Sequence, residues 1–314
     1  MAEKLLLAGK VVAIPTETVY GLAASAYNFN AVLEIFNIKE RPSFDPLIVH
    51  AYDLDRTSAF VEAIPTSALL LAKAFWPGPL TLLLPKKKVI PDLVTAGSPC
   101  VGVRVPNHVM TLDLLKRLPF PLAAPSANPF GYISPTTPQH VFAQLGNKID
   151  YILDGGACNV GIESTIVSFE KRNPTVLRLG GIAIAALEAV VGPIEIVLQH
   201  APNQPCMPGS LLSHYAPNKK LIMGNLSKLI PKYKAVTDRV GILSFQKQYE
   251  LIPKKNQVIL SPQGCLKEAA QNLFHGLRLL DGLPIDIILA AYLPSHGIGA
   301  AINDRLQRAQ HDHK

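Results

Sequence analysis

The chain has 314 residues, 48% hydrophobic and 17% charged, which supplies a large buried core and excludes a mainly disordered chain. Its formal net charge of +7 permits anionic ligands such as nucleotides or RNA without demanding them. The four cysteines, Cys100, Cys158, Cys206 and Cys265, are scattered and form no C-x-x-C pair, which argues against a zinc or dithiol motif and suits a reducing, cytoplasmic compartment.

The N-terminal segment, MAEKLLLAGKVV, carries too short an apolar run for a signal peptide. No later run approaches the ~18 apolar residues of a membrane span. Residues 11–14 read as a buried strand that stops at Pro15 and opens into a hydroxyl-rich turn holding Thr16 and Thr18. A helix follows with Val32, Leu33, Ile35 and Phe36 on its apolar side; it delivers Lys39 and Arg41, and Pro42 stops it. A second strand spans 47–50. Thr66 is placed to cap a helix over 66–76, and a strand over 80–84 leads into a loop carrying Lys86, Lys87 and Lys88. Residues 100–105 alternate, with Val101, Val103 and Val105 on one face and Gly102 and Arg104 on the other. The missing side chain at Gly102 would let a ligand approach Arg104.

Asn107 is expected to cap a helix running to about Leu118. A short strand over 121–125 leads into Ser126-Ala127-Asn128-Pro129, and a second hydroxyl-rich turn holds Ser134, Thr136 and Thr137. Thr137 as N-cap and Pro138 at the first helical position start the next helix, which Gly146 closes. Strands are expected over 151–153, 163–169 and 175–179, the last with Arg178 on the face of Val176. A helix over 184–191 and a strand over 194–198 complete a first domain, 1–199. Residues 200–220 are proline-rich and aperiodic, a linker. Residues 221–314 alternate again. Strands are expected over 221–223, 240–245, 258–260 and 285–292, with helices over 265–280 and 300–309. That alternation implies a small α/β domain with a largely parallel sheet.

Common catalytic signatures are missing. There is no Walker loop, no G-x-S-x-G and no H-E-x-x-H, and Gly297-Ile298-Gly299 reads as the cap of the last helix. No metal-ligand set or carboxylate pair emerges from local spacing. Lys39, Arg41, Arg104 and Arg178 instead fall at element ends near Thr16, Thr18, Ser126, Ser134, Ser164 and Thr165. Cations with hydroxyl donors suit a multiply anionic ligand, because guanidinium forks match phosphate and carboxylate. Such a site works by positioning and by stabilising developing charge.

At these residues the sequence resembles the threonylcarbamoyl-AMP synthase family in its long, two-domain form. The resemblance rests on PTETVYGL from Pro15, KERP from Lys39, PLIVH from Pro46, WPGPLT from Trp76 and VRVP from Val103. PSAN from Pro125, SPT from Ser134, GIEST from Gly161, LR at Leu177 and HYAP from His214 continue it in order. It implies a YrdC-like twisted open α/β domain with a concave basic cavity, followed by a small Rossmann-like domain. The implied reaction joins L-threonine, bicarbonate and ATP into threonylcarbamoyl-adenylate, with pyrophosphate released. Partner proteins then transfer the threonylcarbamoyl group to tRNA. The resemblance places threonine near Thr18, His50, Arg104, Ala124 and Ser164. It places ATP near Arg41, Asp45, Cys100, Ser126, Ser134, Arg178 and Tyr215, with Lys39 and Asn128 lining the same cavity. Lys39, Arg41 and Arg104 would offset phosphate charge, and Mg²⁺ would be held mainly by the nucleotide. Tyr215, lent by the linker, would close over the nucleotide. Two other readings are a double-stranded RNA or tRNA-binding module and a carbamoyl-transfer enzyme.

Overall fold

Residues 1–171, 173–198 and 214–310 are described by the computed structural model, so 200–213 of the expected linker lie outside the described residues. The first sheet is built from β1 (Val12–Ile14), β2 (Gly21–Ser25), β3 (Ile48–His50), β4 (Leu80–Pro85) and β5 (Cys100–Arg104). It continues with β6 (Leu122–Ala123), β7 (Thr165–Ser168), β8 (Thr175–Arg178) and β9 (Glu195–Ile196). These nine strands run in the order β1-β2-β6-β3-β5-β4-β7-β8-β9, with parallel and antiparallel neighbours mixed. The second sheet holds β10 (Lys220–Gly224), β11 (Val240–Ser244), β12 (Gln257–Ile259) and β13 (Ile287–Ala291). Its order is β10-β13-β11-β12 and its pairs are parallel, as the alternation predicts. No helix among the described residues is long and apolar enough to cross a membrane.

The two faces of the first sheet do different things. Leu80, Leu82 and Leu84 of β4, Val101 and Val103 of β5, and Val49 of β3 share the main core with Leu71 and Ala72 of the Thr66–Phe75 helix. Their alternates carry a small apolar group, Ile48, Leu83, Cys100 and Ile166, together with the polar side chains that form the site. Strand alternation alone produces this division.

Several local expectations change. Small residues of β2 pair with β1 where the sequence suggested only a turn before the helix. Residues 151–153 contribute a single bridge, Ala13 to Ile152, rather than a strand. His108, not Asn107, holds the N-cap of the Val109–Arg117 helix, with no side-chain cap bond. Pro65 precedes Thr66 in the same way. Thr137 caps as expected, accepting from the His140 amide. The space over Gly102 is filled by Thr81 Cγ2, 3.2 Å from where a Cβ would stand, rather than left for a ligand.

The largest change is at Arg178. Ile166 lies opposite Arg178 while the next residue, Val167, lies opposite Val176, so Leu177 is skipped. This bulge moves Arg178 off the Val176 face and onto the face of Ile166, where the site lies.

The two domains share apolar packing. Val19, Ile133, Ile162 and Tyr215 sit in one cluster with Leu273, Phe274 and Leu277 of the Leu266–Asp281 helix. Polar bonds reinforce it: Asp281 accepts from the Tyr132 hydroxyl at 2.6 Å and from the Lys219 amide at 2.9 Å. Arg278 donates to Gln144 Oε1 at 2.9 Å.

Candidate active site

The turn after β1 is organised by one hydroxyl. Thr16 Oγ1 donates to Val19 O at 2.7 Å and accepts from the amides of Thr18 and Val19, each at 3.2 Å. With its one proton used, Thr16 accepts from the Thr18 hydroxyl at 2.8 Å. Arg104, at the end of β5, donates Nη1 to Thr18 Oγ1 at 2.9 Å and pairs Nη2 with Glu17 Oε2 at 2.7 Å. The direction of these bonds leaves Thr18 an acceptor toward the cavity beside it.

Arg178 reaches the site because of the bulge, and donates Nε to Ser164 O at 3.0 Å and Nη2 to Ser164 Oγ at 2.9 Å. Thr81 Oγ1 completes this group, 2.8 Å from Ser164 Oγ. Burial lowers the Arg178 pKa to about 10. His50 is buried at the end of β3; burial, and then the charge of Arg104, lowers its pKa to about 3. It is therefore a neutral imidazole near pH 7. His214 is pushed down in the same direction by burial and then by Arg41, and its Nδ1 has no hydrogen-bond partner. Tyr215 follows with φ +65°, stacked on Phe274 across the domain boundary at 5.6 Å.

Most of these groups line one partly open cavity of about 60 Å³, together with Thr16, Ala124, Arg41, Ser126 and Glu163. That volume suits a small ligand group and is far below a nucleoside triphosphate.

All five residues expected around threonine line the cavity. Of the expected nucleotide residues, Arg41, Ser126, Arg178 and Tyr215 line it, whereas Asp45, Cys100, Asn128 and Ser134 do not. Asp45 is fully buried and faces Arg41 at 2.9 Å, so it neutralises that guanidinium. The Cys100 thiol points at Glu170 Oε1, 3.6 Å away, and burial raises its pKa to about 11. Asn128 Nδ2 donates to the carbonyls of Pro129 and Tyr132, at 2.8 and 2.9 Å. Ser134 donates to Glu163 Oε1 at 2.7 Å. Lys39, expected to face phosphates, lies behind the cavity and donates to the carbonyls of Ser126 and Asn128, each at 2.5 Å. Burial, then the charge of Arg41, lowers its pKa. It holds the turn that presents Ser126.

Glu17, Glu163 and His214 also shape the site, and they stand inside the PTETVYGL, GIEST and HYAP stretches, whose pattern by itself assigns them no role. Arg305 carried no signal at all, yet its Nε donates to Glu163 Oε2 at 2.8 Å from the last helix. Among the described residues no group of three or more His, Cys, Asp or Glu is arranged to hold a metal. The carboxylates of Glu17, Asp45 and Glu163 each face a guanidinium.

Fold and site together define a two-domain α/β protein whose larger domain holds a pocket of guanidiniums and hydroxyls, lined in part by His214 and Tyr215. Two family profiles match it, one described as "Telomere recombination" over residues 4–180 and one as "Threonylcarbamoyl-AMP synthase, C-terminal domain" over 182–310. The threonylcarbamoyl-AMP synthase of Bacillus subtilis is 39% identical, across 98% of this chain and 91% of its own. That of Pyrococcus abyssi is 38% identical, across 96% and 90%. The crystal structure of P. abyssi Sua5 complexed with L-threonine superposes with a TM-score of 0.92 at 37% identity, covering 98% of this chain and 93% of that one. The chain belongs to the threonylcarbamoyl-AMP synthase family in its two-domain form, as the sequence resemblance implied.

Proposed function

We propose that this chain condenses L-threonine, bicarbonate and ATP into L-threonylcarbamoyladenylate and pyrophosphate, supplying an activated group for tRNA modification. The observation that carries the reading is the convergence of Thr18, His50, Arg104, Ala124 and Ser164 on one small cavity. In the reaction bicarbonate loses water to give carbon dioxide, and the threonine amine, as the free base, bonds its carbon to form a carbamate. The proton that the amine sheds is the one that the bicarbonate hydroxyl takes up in leaving as water. A carbamate oxygen then bonds the α-phosphorus as the bond to the β-phosphate oxygen breaks, and pyrophosphate carries that electron pair away. A carbamate is already an anionic nucleophile, and the neutral His50 fits a site that needs no strong base at this step. Arg104 is suited to the threonine carboxylate, and Thr18 to its amine as acceptor. Arg41 and Arg178 lie where phosphate charge would develop. Mg²⁺ would arrive on the triphosphate, because the neighbouring carboxylates are committed to guanidiniums; bound there, it screens phosphate charge.

The cavity is small beside ATP, and His214 and Tyr215 line it, so an outward movement of these two residues would make room for the nucleotide. The direct test is incubation with ATP, labelled bicarbonate and threonine. Pyrophosphate release that depends on threonine is expected; release that is absent, or indifferent to threonine, overturns the reading.

A further inference from the structure

The cavity is assembled by the first domain but braced by the last helix of the chain. Arg305, on the Gly299–Ala309 helix, is buried with 1% of its surface exposed. All three nitrogens of its fork are engaged, on the cavity wall and on its own helix. Nε donates to Glu163 Oε2 at 2.8 Å, Nη2 donates to Leu179 O at 2.8 Å, and Nη1 pairs with Asp304 Oδ2 at 2.7 Å. The face of the guanidinium lies 5.2 Å from the centre of the Tyr215 ring. Asp304 is shared with Arg308, whose Nε lies 3.1 Å from Oδ1, so the fork is anchored to its own helix.

Glu163 and Tyr215 line the cavity themselves, and Leu179 is next to Arg178, which also lines it. Glu163 precedes Ser164, and its second oxygen accepts from Ser134 Oγ at 2.7 Å. Leu179 follows Arg178, the residue whose guanidinium is bonded twice to Ser164. One side chain therefore pins the segment leading into β7, the segment leaving β8, the Ser134 hydroxyl and the tyrosine that lines the cavity. The threonine side is held differently: Arg104 is fixed by Glu17, Thr18 and Gly78 within the first domain.

We propose that Arg305 is a positioning residue for the nucleotide half of the site, so that the C-terminal domain is a working part of the active site. This rests on the synthase reading above. The demand is for a guanidinium: its planar fork reaches Glu163 and Leu179 together, whereas a lysine ammonium on a flexible stem holds one and releases the other.

The test is calorimetric binding of ATP and of threonine, separately, with thermal melting, on the full chain and on Arg305→Lys and Arg305→Met/Glu163→Gln. The double variant removes the buried charge that Arg305→Met alone would leave uncompensated. In Arg305→Lys, ATP binding weakens by about tenfold or more, while threonine binding, which shares only Ser164 with this brace, weakens by several-fold less. The double variant melts near the parent temperature and still binds ATP weakly. Equal weakening of both ligands alongside a lowered melting temperature would mean a purely structural brace. ATP affinity retained in both variants would also overturn the proposal. The two readings fail separately: a parent chain that binds ATP but releases no threonine-dependent pyrophosphate sinks the synthase reading alone.

Discussion

At the scale of single residues, burial decides the chemistry more than residue type does. His50 titrates at about 3 in the folded chain against 6.5 for a free histidine. Between those values the unfolded chain binds a proton that the native chain refuses. Stability is therefore fully present above pH 6.5 and falls as pH drops toward 3, by about 1.4 kcal/mol per pH unit. His214 contributes in the same direction. Denaturant unfolding at pH 5.5 and 4.5 should show a slope of at least that size, because the two histidines add, and His50→Gln should flatten it by about one proton; a slope unchanged in the variant would mean that His50 is not held neutral. Arg104 makes a second case. Lysine cannot bridge Thr18 Oγ1 and Glu17 Oε2 at once. Arg104→Lys is expected to raise KM for threonine by about tenfold or more with little change in KM for ATP. Steady-state kinetics with each substrate varied would separate the two.

Elements place these side chains through details of register and spacing. Residue types marked much of the site in advance: Thr18, His50, Arg104 and Ser164 stand in the stretches singled out, and they meet in space. Arg178 was marked too, but on the wrong face. Alternation put it with Val176, and only the skipped Leu177 brings it opposite Ile166. A bulge depends on what the partner strand offers, so it leaves no signature within the strand itself. The turn after β8 is equally exacting. A Cβ on Gly180 would stand 2.3 Å from Ser164 C and 2.3 Å from Thr165 N, both backbone atoms that cannot swing aside. Gly180→Ala should cost about 1–3 kcal/mol of stability and weaken ATP binding by displacing Ser164 from Arg178. Thermal melting and a binding titration would show both losses; a variant that melts and binds like the parent would contradict the packing.

Across the whole molecule, the two domains behave as one because close contacts cross between them. Gly161 has φ +81°, and a Cβ there would lie 2.4 Å from Gln271 Cα and 2.5 Å from Ala270 O on the Leu266–Asp281 helix. Gly161→Ala therefore strains its own backbone and forces that helix outward. A loss of about 2–4 kcal/mol is expected, read as a melting temperature lower by roughly 2–4 °C for each kcal/mol. Limited proteolysis at the domain boundary should accelerate in parallel, and a variant as resistant as the parent would show that the contact is not tight.

The amino-acid order by itself determined the class of each domain, because hydrophobic periodicity and turn chemistry are local and read along the chain. It also determined the family, because many short motifs in one order are together specific, and it named Thr18, His50, Arg104, Ala124 and Ser164, which gather on one cavity. What only the tertiary structure decided was which charges face the cavity and which neutralise one another. Lys39 and Asp45 sit in the marked motifs yet turn to backbone carbonyls and to Arg41, while Arg305 arrives from the far end of the chain to hold Glu163. Ion pairs between residues 142 positions apart depend on the packing of two domains, and no local pattern encodes them.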